Sequence, residues 1–214
     1  MNEETNANKQ LPPKTIISFE TRERLKSRNL QHLLHIISES EIFHVEEWTQ
    51  KHVSDVIFEY DKSSTNNIDE LNKSIMNKRN LLFLFESDSS ERFGIYLNSE
   101  VFSKSENDTT YYSLNSFSST DTETFHFNIE SNGRLLYAMK FQIKYVDRCY
   151  ALAKSDDTFL IILGNLVIVP HNKFNLSYCY QDSQFEYYNI PNALCGCVKP
   201  NGFVITKMFV IQMN

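Results

Sequence analysis

The sequence predicts a mainly β fold with helices: two antiparallel sheets packed as a sandwich, a few helices, and a helical arm at the N-terminus. Two observations lead there. The first is the final stretch, Gly202 to Met213, which is rich in bulky and β-branched residues and follows the turn Pro200-Asn201-Gly202. Alternate positions put Phe203, Ile205, Phe209, Ile211 and Met213 on one face and Val204, Met208 and Val210 on the other. Both faces want cover, so this strand belongs inside a sheet although it comes last in the chain. Lys207 falls on the apolar face unless a bulge near Thr206 turns it outward. The second observation is the texture from Leu81 onward, where short apolar or alternating runs recur at near-regular spacing, each closed by a polar turn.

Taken in order, residues 1–17 are polar and are expected to form a disordered tail. A helix is predicted over residues 18–41, with Ser18 as its cap and Glu20 and Glu23 in its first turns. Leu30, Leu33, Leu34 and Ile37 form its apolar stripe, and Arg22, Arg24, Lys26 and Arg28 lie on the other side. The stripe suits docking on the domain, a linker helix, or self-association, and it is too short to establish a coiled coil. The remainder, 42–214, reads as one domain. Asp55 to Tyr60 is a strand, and Asn67 caps a helix with Glu70 in its first turn and Ile68, Leu71 and Ile75 buried. Strands follow at Leu81 to Phe85 and Arg92 to Leu97, with Gly94 at a bulge or a close backbone approach. Glu123 to Ile129 turns Phe125, Phe127 and Ile129 inward. Ser131-Asn132-Gly133-Arg134 is a hairpin turn, and Leu135 to Ile143 returns. Cys149 to Ala153, the turn at Ser155-Asp156-Asp157, Thr158 to Leu163, Leu166 to Val169 and Asn175 to Tyr180 complete the set.

Composition narrows the function. A net charge of −6 gives no general attraction to phosphate backbones or acidic membranes, which argues against nucleic acid as a partner. The start of the chain lacks the basic and apolar regions of a signal peptide. Phe159 to Val169 is too short to span a membrane, so membrane insertion is not expected. Four cysteines in 214 residues are not a disulfide scaffold, and a cytoplasmic address is the default.

No catalytic, cofactor-binding or metal-ligating residue is predicted. The segment from Asp61 begins like a calcium loop, but it lacks the glycine at the sixth place and has Asn72 at the twelfth. Cys195-Gly196-Cys197, with Cys179 upstream and His171 nearby, departs from zinc and thioredoxin-like spacings, and Cys149 and Cys179 fit inert positions within strands. His32 and His35 are separated by Leu33-Leu34 rather than by the glutamate of a zinc-protease helix. Glycines stand only at 94, 133, 164, 196 and 202, which excludes a glycine-rich nucleotide loop. Residues 116–123 form a candidate phosphorylated loop.

The order of short motifs from Glu47 to Met213 resembles the TLDc domain family, in a short, divergent form of unicellular eukaryotes. Glu47-Trp48-Thr49 and Phe58-Glu59-Tyr60-Asp61 stand at its entry. Met76 to Leu81 and Arg92-Phe93-Gly94-Ile95-Tyr96 look like the family's helix end and FG-x-Y strand. Asp121 to Phe127 resembles its F-x-F strand. Gly164 with Leu166-Val167-Ile168 resembles its glycine-aspartate strand, with Asn165 where the aspartate belongs. Tyr178-Cys179, Tyr188-Asn189, Leu194-x-Gly196 and Phe203 to Met213 finish the run. The resemblance implies a two-sheet sandwich acting as a non-enzymatic protein-binding or regulatory module tied to oxidative-stress resistance. In several members it acts through the vacuolar ATPase, and the family supplies no catalytic residues to carry over. Two other readings remain open from the residues alone. One is a thiol-based antioxidant enzyme using Cys195 or Cys197, and the other a scaffold dimerising through residues 19–39.

Overall fold

The computed structural model describes residues 28–61, 68–101, 114–115, 123–143, 150–152, 160–164, 166–169, 176–179, 192–197 and 200–214. The predicted tail, the Ser18 cap and its acidic turns, Asn67, Cys149, the 116–122 loop, the Ser155-Asp156-Asp157 turn, His171 and Tyr188-Asn189 lie outside them. Two antiparallel sheets stack as a sandwich with helices added, which is the predicted class. The larger sheet contains β1 (Val53–Asp61), β2 (Leu81–Ser87), β3 (Arg92–Leu97), β5 (Phe125–Glu130), β6 (Met139–Gln142) and β11 (Ile205–Met213), in the order β1-β11-β2-β3-β5-β6. The smaller contains β4 (Leu114–Asn115), β7 (Tyr150–Leu152), β8 (Ile161–Leu163), β9 (Leu166–Ile168) and β10 (Tyr178–Cys179), in the order β10-β9-β8-β7-β4.

As its composition requires, β11 lies between two neighbours. It pairs with β1 from Val53↔Met213 to Asp61↔Lys207, and with β2 from Ile205↔Ser87 to Gln212↔Leu81. The expected bulge is present: Ile205 and Lys207 oppose the adjacent residues Ser87 and Glu86, leaving Thr206 as the extra residue. Thr206 Oγ1 donates to Glu86 O at 3.0 Å, and Lys207 Nζ meets Glu86 Oε1 at 3.4 Å. The bulge also corrects the face assignment. Phe203 and Ile205 pack between the sheets with Met208 and Val210, while Phe209, Ile211 and Met213 face the helices. An extra residue inverts the period-2 alternation, so a single parity cannot run through Thr206.

The larger sheet is covered on both faces. Between the sheets, Leu81, Phe83, Phe85, Phe93, Ile95 and Phe141 meet Ile161, Leu163, Leu166 and Ile168. The helix α3 (Ile68–Ile75) adds its predicted stripe of Ile68, Leu71 and Ile75 to that core. On the opposite face, Leu82, Leu84, Tyr96, Phe125 and Phe127 are covered by α1 (Arg28–Ile36) and α2 (Glu39–Thr49). These two helices replace the single helix expected over 18–41. The chain leaves helical geometry at Ile37-Ser38, and Ser38 begins α2 with a capping box. The Ser38 hydroxyl accepts from Glu41 N, and the Glu41 carboxylate accepts from Ser38 N at 2.7 Å. The S-x-x-E signature was present at residues 38–41, but the uninterrupted apolar stripe masked it. Leu33 and Ile37 are buried against the sheet, so the stripe is used for docking.

Arg92 locks this helical layer in place. Its Nη1 donates to Glu41 Oε1 at 2.5 Å, and its Nη2 donates to the carbonyl of Ile36 at the end of α1. One guanidinium therefore joins the C-terminus of α1 and the first turn of α2 to β3, serving the carbonyl end of one dipole and a carboxylate of the other. Lys140 does the same on β6, donating to Trp48 O at 3.2 Å while its ammonium lies 4.1 Å from the Phe125 ring centroid.

The hairpin return is shorter than expected. Only Met139–Gln142 pairs with β5, whereas residues 135–138 form a loop. Gly94 marks a close backbone approach, since a β-carbon there would lie 1.8 Å from Phe83 O and 2.7 Å from the Phe127 ring. A backbone oxygen cannot rotate away, so Gly94→Ala is expected to cost about 3 kcal/mol, the upper end of overpacking penalties. Urea unfolding of the variant, which also keeps the helical and sheet signals in view, measures it.

Candidate functional site

At one end of the sandwich three turns converge on buried polar groups. The first, between β2 and β3, carries Glu91, whose amide donates to Ser87 Oγ at 3.3 Å and whose carbonyl accepts from Ser87 N at 3.0 Å. The second is the predicted Asn-Gly turn after β5, with Asn132 and Gly133 at φ 48° and 82° and Arg134 N donating to Ser131 O at 2.9 Å. The third is the turn of residues 192–197, in which Gly196 N donates to Asn192 O at 3.0 Å.

Arg134 joins the three. Its Nε and Nη2 donate to the two oxygens of the buried Glu91 carboxylate at 3.0 and 2.6 Å, a two-pronged geometry that lysine cannot reproduce. Its Nη1 and Nη2 also donate to Ala193 O, each at 3.3 Å. Asn128, fully buried on β5, donates through Nδ2 to Leu194 O at 2.8 Å. Gly196 sits directly against Glu91. Its φ is 74°, and a β-carbon would lie 2.4 Å from Glu91 Oε1, so both the backbone conformation and the space call for glycine.

This turn brings three cysteines together, all as thiols: Cys179 of β10, buried Cys195 and half-buried Cys197. Cys195 is hydrogen-bonded through its side chain to both Cys179 and Cys197, and those bonds together with burial push its thiol well above the ordinary range. Cys197 moves the other way. The Cys195 hydrogen bond lowers it, against opposing contributions from partial burial and from Cys179, Glu91 and Asp88. Cys195 has one S–H proton and two acceptors on Cys197. The carbonyl oxygen takes it at 3.3 Å while Cys197 is a thiol, and a thiolate sulfur is the stronger acceptor. Sequence reading considers Cys179 together with the Cys-Gly-Cys turn and sets the group aside because its spacing fits neither zinc nor thioredoxin-like chemistry; the contact among the three is made by the fold. Glu91 and Arg134, 43 residues apart, carried no local signal at all.

A second buried polar group lies on the inner face of β5. Phe125 and Phe127 are buried as expected, though against the helices rather than between the sheets, with Ile129 packed beside them, and His126 and Asn128 on the other face are buried as well. His126 Nε2 donates to Leu163 O at 3.2 Å, linking the larger sheet to the end of β8. Burial lowers its pKa from 6.5 to about 4, and the bond to the Leu163 carbonyl offsets only part of this.

The other sequence candidates do not assemble with these groups. His32 is exposed and bonded to Glu59 of β1, and His35 is exposed on the same helix. Asp61 ends β1 and Asn72 lies in α3. Among the described residues no three His, Cys, Asp or Glu side chains are arranged to hold a metal ion. No helix among them is long and apolar enough to cross a membrane. Comparison of the chain with models of known protein families finds no match, and comparison with curated proteins finds none.

The sign of the His126 effect follows from its lowered pKa. Its stabilising neutral state is fully available above pH 6.5. As the pH falls from 6.5 towards 4, the unfolded chain binds a proton that the native chain refuses. The wild type is expected to lose about 2 kcal/mol more than His126→Gln between pH 7 and pH 4.5. Urea midpoints of both proteins at the two pH values measure that difference, and carboxylate titration common to both cancels.

Proposed function

We propose that the chain is a non-enzymatic protein-binding or regulatory module of the TLDc kind, presenting the loop of residues 135–138 to its partner. The observation that carries this reading is the exposure of Leu136 and Tyr137, 87% and 55% accessible, on an anchored loop. Leu135 N donates to Ser131 Oγ at 2.6 Å, and Arg134 beside it is held by Glu91 and Ala193. Isolated exposed apolar residues are common on surfaces. An aliphatic and an aromatic side chain on neighbouring positions, held from behind by an ion pair, resemble the pre-ordered anchors that dominate protein interfaces. The loop also adjoins β6, which stands at one end of the order β1-β11-β2-β3-β5-β6.

The family resemblance supplies a first partner to test, the vacuolar ATPase, and a setting, resistance to oxidative stress in the cytoplasm. A photo-crosslinking phenylalanine analogue placed at residue 136 or 137 is the direct test, using purified vacuolar ATPase and, separately, a whole-cell extract. A protein adduct from either position, abolished by the companion substitution Tyr137→Asp or Leu136→Asp, is expected. An adduct from the extract but not from the ATPase keeps the binding module and removes that partner. No adduct from either position overturns the reading.

A further inference from the structure

We propose that Cys197 and Cys195 form a peroxide-responsive thiol pair whose oxidation to a disulfide releases the Arg134 anchor of the neighbouring loop. Three observations carry it. Cys197 is the half-exposed member of the cluster and the one a small oxidant can reach. Cys195 is buried beside it, with its sulfur already directed at Cys197 through the 3.3 Å bond to the Cys197 carbonyl. Cys179 is in side-chain hydrogen-bonding contact with Cys195 and close enough to act on Cys197, so a third thiol adjoins the pair.

The chemistry balances with a hydroperoxide as oxidant. The Cys197 thiol gives up its proton, its thiolate attacks the terminal peroxide oxygen and the O–O bond breaks; the departing oxygen takes up a proton in place of the one released and leaves as alcohol or water, giving a sulfenic acid. The Cys195 sulfur then attacks the Cys197 sulfur and the S–O bond breaks. The Cys195 proton leaves with the hydroxyl as water, closing the disulfide. Overall two thiols are oxidised by two electrons and one peroxide is reduced. Cys179 can then exchange onto Cys195, moving the bridge to Cys179–Cys195 and returning Cys197 as a thiol.

The structural consequence follows from Gly196. It lies between the two reacting cysteines with its backbone against the Glu91 carboxylate, leaving no room for displacement on that side. Drawing Cys195 and Cys197 together removes the Cys195 proton from the Cys197 carbonyl and moves the turn that supplies Ala193 O to Arg134. Glu91, Ala193 and Arg134 hold the base of the 135–138 loop, so oxidation loosens the loop. The thiol chemistry stands apart from the binding reading, and only its meaning for a partner rests on that reading.

The test uses the reduced 214-residue chain and hydrogen peroxide, with peptide mapping and amide hydrogen exchange as readouts, and needs no partner. The expected product is a disulfide that includes Cys195, with Cys197 trapped by dimedone as a sulfenic acid in Cys195→Ala. Exchange at residues 135–138 is expected to rise about tenfold on oxidation and to revert with a dithiol reductant. Should Cys195→Ala fail to fold, Cys197→Ser, at the more exposed position, must abolish the disulfide in its place. Oxidation of Cys197 straight to the sulfinic acid, or reaction confined to Cys149, overturns the thiol pair. A disulfide without a change in loop exchange overturns the release. Failure of crosslinking from residues 136 and 137 would leave these results standing, so the two proposals fail separately.

Discussion

Everything in the larger sheet depends on the insertion of its last strand between its first two. Among the described residues β11 is the only sheet neighbour of β1, so β1 joins the remaining strands through residues that arrive about 150 positions later. Clamping continues to the end of the chain. Asn214 and His52 exchange backbone hydrogen bonds at 2.7 and 2.9 Å, and Met213 N donates to Asn80 O at 2.9 Å. Phe209, Ile211 and Met213 also form part of the floor on which α1 and α2 rest. A strand that supplies two ladders and both cores cannot be replaced by local structure. The loop-closure entropy of so distant a pairing must be met before its contacts form, which is the condition for slow folding.

How much of this was legible follows from which signals are local. The run Leu81 to Phe85 reads as a strand from its unbroken apolar residues, and the structure covers both of its faces. The α3 stripe and the Asn-Gly turn were readable because each lies within one short segment. The Thr206 bulge is legible from Lys207, a charge that strict alternation puts on the apolar face, while the inverted parity at Phe203 and Ile205 leaves no mark in the composition of the strand. The break between α1 and α2 needed the Ser38–Glu41 box to outweigh a continuing hydrophobic period, and propensity offers no scale for that contest. The site was the least legible part. Arg134 finds Glu91 and Ala193, and Asn128 finds Leu194, across separations that no sequence window spans.

The buried polar groups share a pattern. Arg92 with Glu41 fastens the helical layer to the larger sheet, His126 fastens that sheet to the smaller one, and Arg134 with Glu91 fastens the cysteine turn to both hairpins. Apolar layers alone tolerate sliding, because dispersion and burial depend weakly on direction. A buried ion pair adds little net stability, since the desolvation of its charges offsets most of the attraction. Breaking it is a different matter, because the abandoned partner stays buried without compensation. We therefore read these pairs as determinants of position: each selects one placement of an otherwise permissive apolar contact.

That distinction separates the three fastenings by what can disturb them. Arg92 lies in a strand and Glu41 in a capped helix, so neither partner belongs to an unpaired turn. His126 is enclosed between sheets and responds only to acid well below neutral pH. The Arg134 fork differs because Ala193 O, one of its acceptors, belongs to a turn without strand pairing that carries two of the three clustered cysteines. A covalent change two residues along that turn acts directly on an acceptor of the fork. Of these three fastenings, the fork is the one with a short path from modest chemistry to an exposed surface, ending at Leu136 and Tyr137.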